Sequence, residues 1–244
     1  LIRETGLRVT VSTNGTMIDL SAAERLKKIG VTYVGISLDG IGEIHDQFRG
    51  RAGTFEKVRS AFQNCRAVEQ KVGLRLTLTQ HTIDELDRIL DFIEDNDIQR
   101  VCFYHLVYSG RGSDLSDVSH KDVRVTIDKI MDRTRLWVES GEPKEVLTVD
   151  QPVDGAYMLM RMKRENSDRL SEVTKLLEWN GGGRNSSGIG IGNIDTQGNV
   201  HPDQFWQSLT LGNVKDQPFS KIWTESKDPT LLGLRDRLPR LKGR

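Results

Sequence analysis

The chain has 244 residues, of which 36% are hydrophobic and 29% charged, and its 35 basic residues are balanced by 35 acidic ones. A net charge of zero argues against a general nucleic-acid-binding surface, and no apolar run approaches the roughly 18 residues that span a bilayer. With only two cysteines, a disulfide-rich secreted protein is excluded as well, so we expect a cytoplasmic protein of one large or two small domains.

Short β-rich segments alternate with amphipathic helical segments over about the first 140 residues. The predicted strands are Arg8–Thr13, Thr32–Leu38, Gly73–Gln80 and Arg100–Tyr108. The predicted helices are Leu20–Ile29, Thr54–Gln70, Ile83–Asn96 and Lys121–Glu139. Strand–helix repetition of this kind predicts an α/β fold of βαβ units around a parallel sheet, either open or rolled into a barrel.

The third predicted strand has one apolar face and one polar face. Its apolar positions are Leu74, Leu76 and Leu78, and its polar positions are Arg75, Thr77, Thr79 and His81. A parallel strand that is covered on both sides is usually apolar throughout. The polar face therefore indicates a wet lumen or cleft, as in a barrel that is not completely closed, or else an edge strand with one solvated face.

The pattern changes near residues 145–150. Two predicted helices, Asp154–Glu165 and Asp168–Trp179, precede a glycine-rich loop at 181–192 and a predicted hairpin at Asn193–Trp206. The glycines lack the G-x-G-x-x-G spacing between a strand and a helix, so we predict no dinucleotide site there. We divide the chain into a barrel-like part at 1–148 and a small α+β appendage at 149–244.

Polar side chains follow the first two predicted strands. Ser37 and Asp39 leave the same face where the second strand ends, and Asn14 follows the first strand. In folds built from βα repeats, ligands bind at the carboxyl ends of the strands. These three residues therefore suit a hydroxyl-bearing ligand, although Asn14-Gly15 and Asp39-Gly40 are also ordinary turn sequences.

The segment that follows Asp39 is predicted to be a loop of about fifteen residues, much longer than βα loops usually are. It contains the sequence His45-Asp46-Gln47-Phe48-Arg49-Gly50. Arg49 and Arg51 either bind a carboxylate or are solvated.

Further candidate residues lie later in the chain. Arg111, flanked by glycines after the fourth strand, either reaches an anionic group or belongs to an ordinary surface loop. His201 and Asp203 in the hairpin either bind a metal or substrate or belong to a turn. Cys65 and Cys102 are predicted to lie in the core.

Taken in order, three early motifs resemble those of radical S-adenosylmethionine (SAM) enzymes of the SPASM/twitch type. They are Ser12-Thr13-Asn14-Gly15-Thr16, Ile36-Ser37-Leu38-Asp39-Gly40 and His45-Asp46-x-x-Arg49-Gly50. The tail, with GNVHPDQFW at 198–206 and LGNV at 211–214, resembles the tetrapyrrole-modifying branch of this family, with its NirJ-type haem d1 biosynthesis enzymes and didecarboxysirohaem deacetylases. The resemblance covers nearly the whole chain. It implies a partial (β/α)6 TIM-like barrel, without its first strands, and a SPASM/twitch-like appendage.

The resemblance also implies roles for individual residues. Positions that would bind SAM, at its ribose, amino-acid moiety, carboxylate or adenine, are Asn14, Ser37, Asp39, Arg49 and Leu106. Positions that would bind substrate carboxylates are His105, Tyr108 and Arg111. The reaction would be reductive cleavage of SAM at a [4Fe–4S] cluster, with electrons from a donor such as flavodoxin or ferredoxin. The resulting radical would abstract hydrogen from a tetrapyrrole side chain.

Two departures from the family concern its iron–sulfur clusters. Thiolates hold such clusters, and the C-x-x-x-C-x-x-C motif does not occur in this sequence. Asp203 stands where many SPASM proteins have a cysteine, and Ser187 stands where an earlier one would be. Either an auxiliary cluster takes cysteines from beyond Arg244, or it has other ligands, in which case we expect His201 or Asp203 near it.

The resemblance leaves three functions open. The first is an enzyme that converts propionate side chains of didecarboxysirohaem in haem d1 biosynthesis. The second is the didecarboxysirohaem deacetylase of alternative haem biosynthesis. The third, from a different class, is a non-catalytic module that binds a tetrapyrrole or a peptide.

Overall fold

The computed structural model describes residues 5–115, 117–181 and 186–237, apart from the side chain of Arg111. The chain divides into two compact units, Leu1–Asp154 and Gly155–Arg244. Within the described residues, no helix is both long enough and apolar enough to cross a membrane.

The first unit contains a five-stranded parallel sheet in its described part. The strands are β1 Thr10–Thr13, β2 Tyr33–Ser37, β3 Val72–Leu78, β4 Arg100–His105 and β5 Glu145–Val149. Each strand pairs with the next one along the chain. Strands added in one direction are typical of a (β/α) barrel, whereas the order reverses within a doubly wound sheet. The predicted α/β fold is confirmed, and β5 is a strand that the sequence pattern did not predict.

One or two helices follow each of these strands. They are α1 Leu20–Lys28, α2 Glu43–Arg49, α3 Thr54–Ala67, α4 Gln80–Asp84, α5 Leu86–Asp95, α6 His120–Glu139 and α7 Val153–Arg164. Short polar side chains begin several of them: Asp19 accepts the Ala22 N–H at 2.7 Å before α1, and Thr79 caps α4. Because Thr79 is a helix cap, the third strand ends at Leu78, two residues earlier than predicted.

The two faces of the sheet differ in chemistry. On one face Leu74, Leu76 and Leu78 of β3 are buried, and the neighbouring strands contribute Ile36 and Phe103. The opposite face, here called the polar face, carries Tyr33, Gly35, Ser37, Arg75, Thr77, Cys102 and Tyr104. Since β3 lies between β2 and β4, the edge-strand explanation for its polar residues is wrong. Both cysteines are buried as predicted, although Cys102 lies on the polar face.

Helix α2 occupies the segment that was predicted to be a loop, so that prediction is wrong. The helix is bounded by Gly42 and Gly50, both with positive φ. Its Asp46 carboxylate begins the next helix: Oδ1 accepts the Thr54 hydroxyl and the Phe55 N–H at 2.7 Å. The hydrogen bond from Thr54, with others from the backbone, lowers the pKa of Asp46. A short helix is thereby fixed between β2 and α3.

The second unit contains short antiparallel strands and helices. Its elements are α8 Leu170–Trp179, β6 Asn193–Ile194, β7 Asn199–His201, β8 Gly212–Asn213, α9 Phe219–Glu225 and α10 Pro229–Arg235. The predicted hairpin is the β6–β7 pair. The glycine-rich stretch permits close packing, since a Cβ on Gly192 would lie 2.8 Å from the Trp223 ring and one on Gly188 2.9 Å from Leu231.

We expect Leu76→Ala to lower the free energy of unfolding by ~2–5 kcal/mol, because it leaves a cavity in the apolar layer beneath the sheet. Leu76 is 1% exposed, whereas Leu136 on α6 is 57% exposed. The control Leu136→Ala should therefore change stability by no more than about 0.5 kcal/mol. Urea unfolding followed by far-UV circular dichroism measures both, and equal losses would contradict the assignment of this face as the core.

Candidate functional site

The carboxyl ends of β1 and β2 bring two predicted site residues to one edge of the sheet. Thr13 pairs with Ile36, so Asn14 and Ser37 are the next residues on adjacent strands. The Asn14 side chain is exposed, and its Oδ1 accepts the Thr16 N–H at 3.1 Å. Asn14 therefore stabilises its own turn, while its amide group stays accessible to a ligand.

Asp39 and Arg49, which were predicted separately, form an ion pair. Arg49 Nη2 lies 2.5 Å from Asp39 Oδ2, and the Asp39 side chain is only 8% exposed. Asp39 Oδ2 and Arg49 Nε are both buried atoms without a hydrogen-bond partner in the described structure. Buried polar atoms are rarely left in this state. Two such atoms in one ion pair mark this edge of the sheet as the candidate site.

His45 fixes the backbone at Asp39. Its Nδ1 accepts the Asp39 N–H at 3.1 Å, so the neutral ring carries its proton on Nε2. Burial is the main cause that lowers the pKa of His45, and the nearby Asp39 opposes this shift. Sequence reasoning assigned His45 no role, although it lies in the motif that also contains Arg49.

The backbone after Asp39 is held from two further directions. A Cβ on Gly40 would lie 2.8 Å from Ile44 on α2, so glycine allows this close approach. The buried Glu85, between α4 and α5, accepts the Ile41 N–H at 3.2 Å and binds Arg88. The sequence pattern gave no signal for Glu85.

An aromatic contact adjoins the ion pair. Phe48 on α2 stacks on His81 on α4, with ring centroids 5.0 Å apart, and the Arg49 guanidinium lies 6.0 Å from the Phe48 ring. Buried His81 Nε2 has no hydrogen-bond partner among the described residues. These rings were not predicted as site residues, because only folding brings the two segments together.

The predicted residues after β4 have separate surroundings. His105 Nε2 lies 2.8 Å from Asp154 Oδ2, and both side chains are 10% exposed. Tyr108 is 63% exposed and donates to the Asp117 carboxylate, which raises its pKa. Leu106 is partly buried next to Gly112. The side chain of Arg111 lies outside the described residues. His105 thus already has a carboxylate partner, and its binding of a substrate carboxylate stays a prediction.

The predicted metal ligands in the second unit make protein contacts. His201 is buried, with Nδ1 2.8 Å from the Leu209 carbonyl and Nε2 3.3 Å from Asp195 Oδ2. Asp203 accepts the Phe205 and Trp206 N–H groups at 2.8 Å and the Ser187 hydroxyl. Ser187 and Asp203, which stand where the family resemblance implies cysteines, are therefore hydrogen-bonded to each other.

The cysteines of this chain do not form the ligand set of an iron–sulfur cluster. Its two cysteines are buried, Cys65 in α3 and Cys102 in β4. Over the described ranges, no group of three or more His, Cys, Asp or Glu residues is arranged to hold a metal ion. The assignment of His201 and Asp203 to an auxiliary cluster stays a prediction.

We expect acidification to weaken the structure around Asp39 through His45. Folding lowers the pKa of His45 below its ordinary value of about 6.5. The neutral ring therefore contributes fully to stability above about pH 6.5, and this contribution is lost as the pH falls toward the lowered pKa. His45→Asn keeps an oxygen that accepts the Asp39 N–H but does not titrate. Urea unfolding from about pH 8 to 5 should show wild type losing more stability than the variant below about pH 6.5. Parallel curves for the two proteins would contradict this role.

Comparison with known sequences identifies the first part of the chain. Residues 1–93 match the Radical SAM superfamily. Fe-coproporphyrin III synthase from Methanosarcina barkeri is 47% identical over 242 residues, which cover 98% of this chain and 60% of that protein. Pre-heme d1 synthase from Dinoroseobacter shibae is 40% identical over 240 residues, which cover 97% of this chain and 59% of that protein. The chain therefore spans about 60% of the length of these curated relatives.

Comparison with solved structures supports the fold. Streptococcus suis SuiB bound to S-adenosylmethionine superposes with a TM-score of 0.69 at 16% identity, covering 96% of this chain and 51% of that one. The sheet order and this likeness agree with the partial TIM-like barrel that the family resemblance implied. The chain carries a radical SAM domain, matched over residues 1–93.

Proposed function

We propose that this chain is part of a cytoplasmic enzyme that uses SAM to modify carboxylate-bearing side chains of a tetrapyrrole. The observation that carries this proposal is the identity of 47% and 40%, over nearly the whole chain, to two relatives named for tetrapyrrole products. In this family a [4Fe–4S] cluster, whose cysteine motif does not occur in this sequence, would supply the electron for SAM cleavage, with a donor such as flavodoxin or ferredoxin. The residues of this chain would bind SAM, orient the substrate and exclude water.

The Asp39–Arg49 pair is the main contribution of this chain to SAM binding in our proposal. The Asp39 carboxylate and the Arg49 guanidinium carry the charges that complement the ammonium and the carboxylate of a zwitterionic amino acid. Because the two side chains already hold each other at 2.5 Å, little ordering is needed when the ligand arrives. Asn14, Ser37 and Leu106 complete the proposed site along the same edge of the sheet.

Two reactions are candidates, and the relatives favour one of them. Coproporphyrins carry propionate and methyl groups but no acetates, so the name Fe-coproporphyrin III synthase agrees with a deacetylase that acts on didecarboxysirohaem. That relative is 47% identical to this chain, against 40% for pre-heme d1 synthase. We therefore place removal of acetate groups first and conversion of propionates, the first choice from sequence alone, second.

The product decides between these reactions. We expect the full-length, cluster-containing protein to convert didecarboxysirohaem, in the presence of SAM and a reductant, into a product that has lost its acetate groups, as measured by mass spectrometry. Altered propionates with intact acetates would instead support the second reaction. If neither product nor 5′-deoxyadenosine forms, the enzyme proposal is wrong and a non-catalytic binding module is favoured.

We expect Arg49→Gln to weaken SAM binding by roughly tenfold or more, since it removes a charge-assisted hydrogen bond to the ligand carboxylate. Arg51, two residues along, is exposed, so Arg51→Gln is the matched control and should change the affinity by less than about twofold. Isothermal titration of SAM into the full-length protein measures both. If Arg49→Gln and Arg51→Gln bound SAM equally well, the assignment of Arg49 to the SAM site would be wrong.

A further inference from the structure

Arg75 is the charged residue at the centre of the polar face. It lies in the middle of β3, where it pairs in register with Ser37 of β2 on one side and with Cys102 of β4 on the other. Its neighbours along the strand, Leu74 and Leu76, point to the buried face. The alternation of the strand therefore directs this guanidinium away from the core and onto the polar face.

Two neighbours hold the Arg75 side chain in one place. Its guanidinium carbon lies 4.4 Å from the centre of the Tyr104 ring, within the range of a cation–π contact. Its stem lies across Gly35, because a Cβ on that glycine would be 2.5 Å from Arg75 Cδ. Stacking fixes the plane of the guanidinium and leaves the N–H groups on its edge free to donate.

Arg75 has no ion-pair partner among the described residues, although the Asp150 carboxylate is near enough to contribute to the raised pKa of Tyr104. Other arginines have carboxylate partners: Arg49 has Asp39 at 2.5 Å, and Arg100, also near the polar face, has Glu145 at 3.3 Å. No carboxylate of the described residues lies within ion-pair distance of Arg75. The adjacent tyrosines do not supply a negative charge, because burial raises the pKa of Tyr33 to about 12 and also raises that of Tyr104. A partly buried, oriented cation of this kind is suited to an anionic ligand.

The position of Arg75 separates it from the Asp39–Arg49 pair. Arg75 lies beside Ser37 in the sheet, and Asp39 is two residues beyond Ser37. Along the strand direction Arg75 is therefore about 7 Å from Asp39, on the side away from the carboxyl ends of the strands. A carboxylate bound there would extend into the sheet's polar face instead of lying along its edge. Tetrapyrroles with several propionate or acetate groups around a large ring have carboxylates that reach such a position.

We propose that Arg75, held by Tyr104 and Gly35, is the anchor for one carboxylate side chain of the tetrapyrrole substrate. The inference rests on the proposed function and names the group that the site recognises on that substrate. The methionine carboxylate of SAM has the same chemistry, so the experiment must distinguish the two ligands.

Two variants and two forms of the tetrapyrrole test this proposal in the full-length protein. Binding of didecarboxysirohaem, followed by its visible absorbance, should be roughly 10- to 100-fold weaker in Arg75→Gln than in wild type. The methyl ester of the same tetrapyrrole, which has no carboxylate charge, should bind both proteins equally. Arg59→Gln is the matched control, because Arg59 lies on the exposed surface of α3 and pairs with Glu56. It should leave the affinity unchanged.

The outcomes separate this inference from the function on which it rests. Unchanged affinity of Arg75→Gln for didecarboxysirohaem would overturn the inference but not the function. Weaker SAM binding with unchanged tetrapyrrole binding would also overturn it, since the carboxylate would then be that of SAM. If the wild-type protein bound no tetrapyrrole, both the proposed function and this inference would be wrong. Should Arg75→Gln not fold, wild type decides the matter: equal affinity for the acid and its ester would overturn the anchor, and a preference for the acid would support it.

Discussion

The alternation of side chains along a parallel sheet covered on one face is the constraint on which this structure depends. Leu74, Leu76 and Leu78 are buried beneath β3, and their burial fixes the register of the strand. A shift of one residue would place Arg75 and Thr77 in the apolar layer at a cost of several kcal/mol. The same apolar contacts that stabilise the barrel unit therefore also determine which polar groups face a ligand.

The strands alone do not form the candidate site, because its edge is assembled from separate connections. Asp39 is held by His45 and Arg49 of α2, and the residue after Gly40 is held by Glu85 from beyond β3. The result is a pair of opposite charges at the edge and an uncompensated cation further along the polar face. These two features differ in chemistry, because the ion pair carries charges of both signs and Arg75 carries a positive charge alone.

Local patterns in the sequence were sufficient to predict most of the fold. The order of strands and helices followed from period-two and helical periodicities, and Ser37 with Asp39 was placed on one face because strand geometry requires it. By contrast, α2 was missed because it is short and lies between glycines, and β5 because Glu145–Val149 has only five residues.

Contacts between distant segments were beyond the reach of sequence reasoning. His105 and Asp154 are 49 residues apart and the Glu85–Ile41 contact spans 44 residues, so no local pattern announces either. Arg75 was recognised as polar, but the absence of an ion-pair partner among the described residues became apparent only from the positions of its neighbours. The partners of a charged side chain depend on which segments folding brings together, whereas the alternation of side chains along a strand can be read from the sequence.

The hydrogen bonds of Asp46 couple the candidate site to the folding of the barrel unit. This residue of α2 accepts the first N–H groups of α3, while His45 beside it accepts the Asp39 N–H. If α2 unfolds, α3 loses its cap and Asp39 loses its backbone partner in the same event. The edge of the sheet and the start of α3 therefore belong to one cooperative unit, and a local opening that released a bound cosubstrate through α2 would also fray a helix of the core.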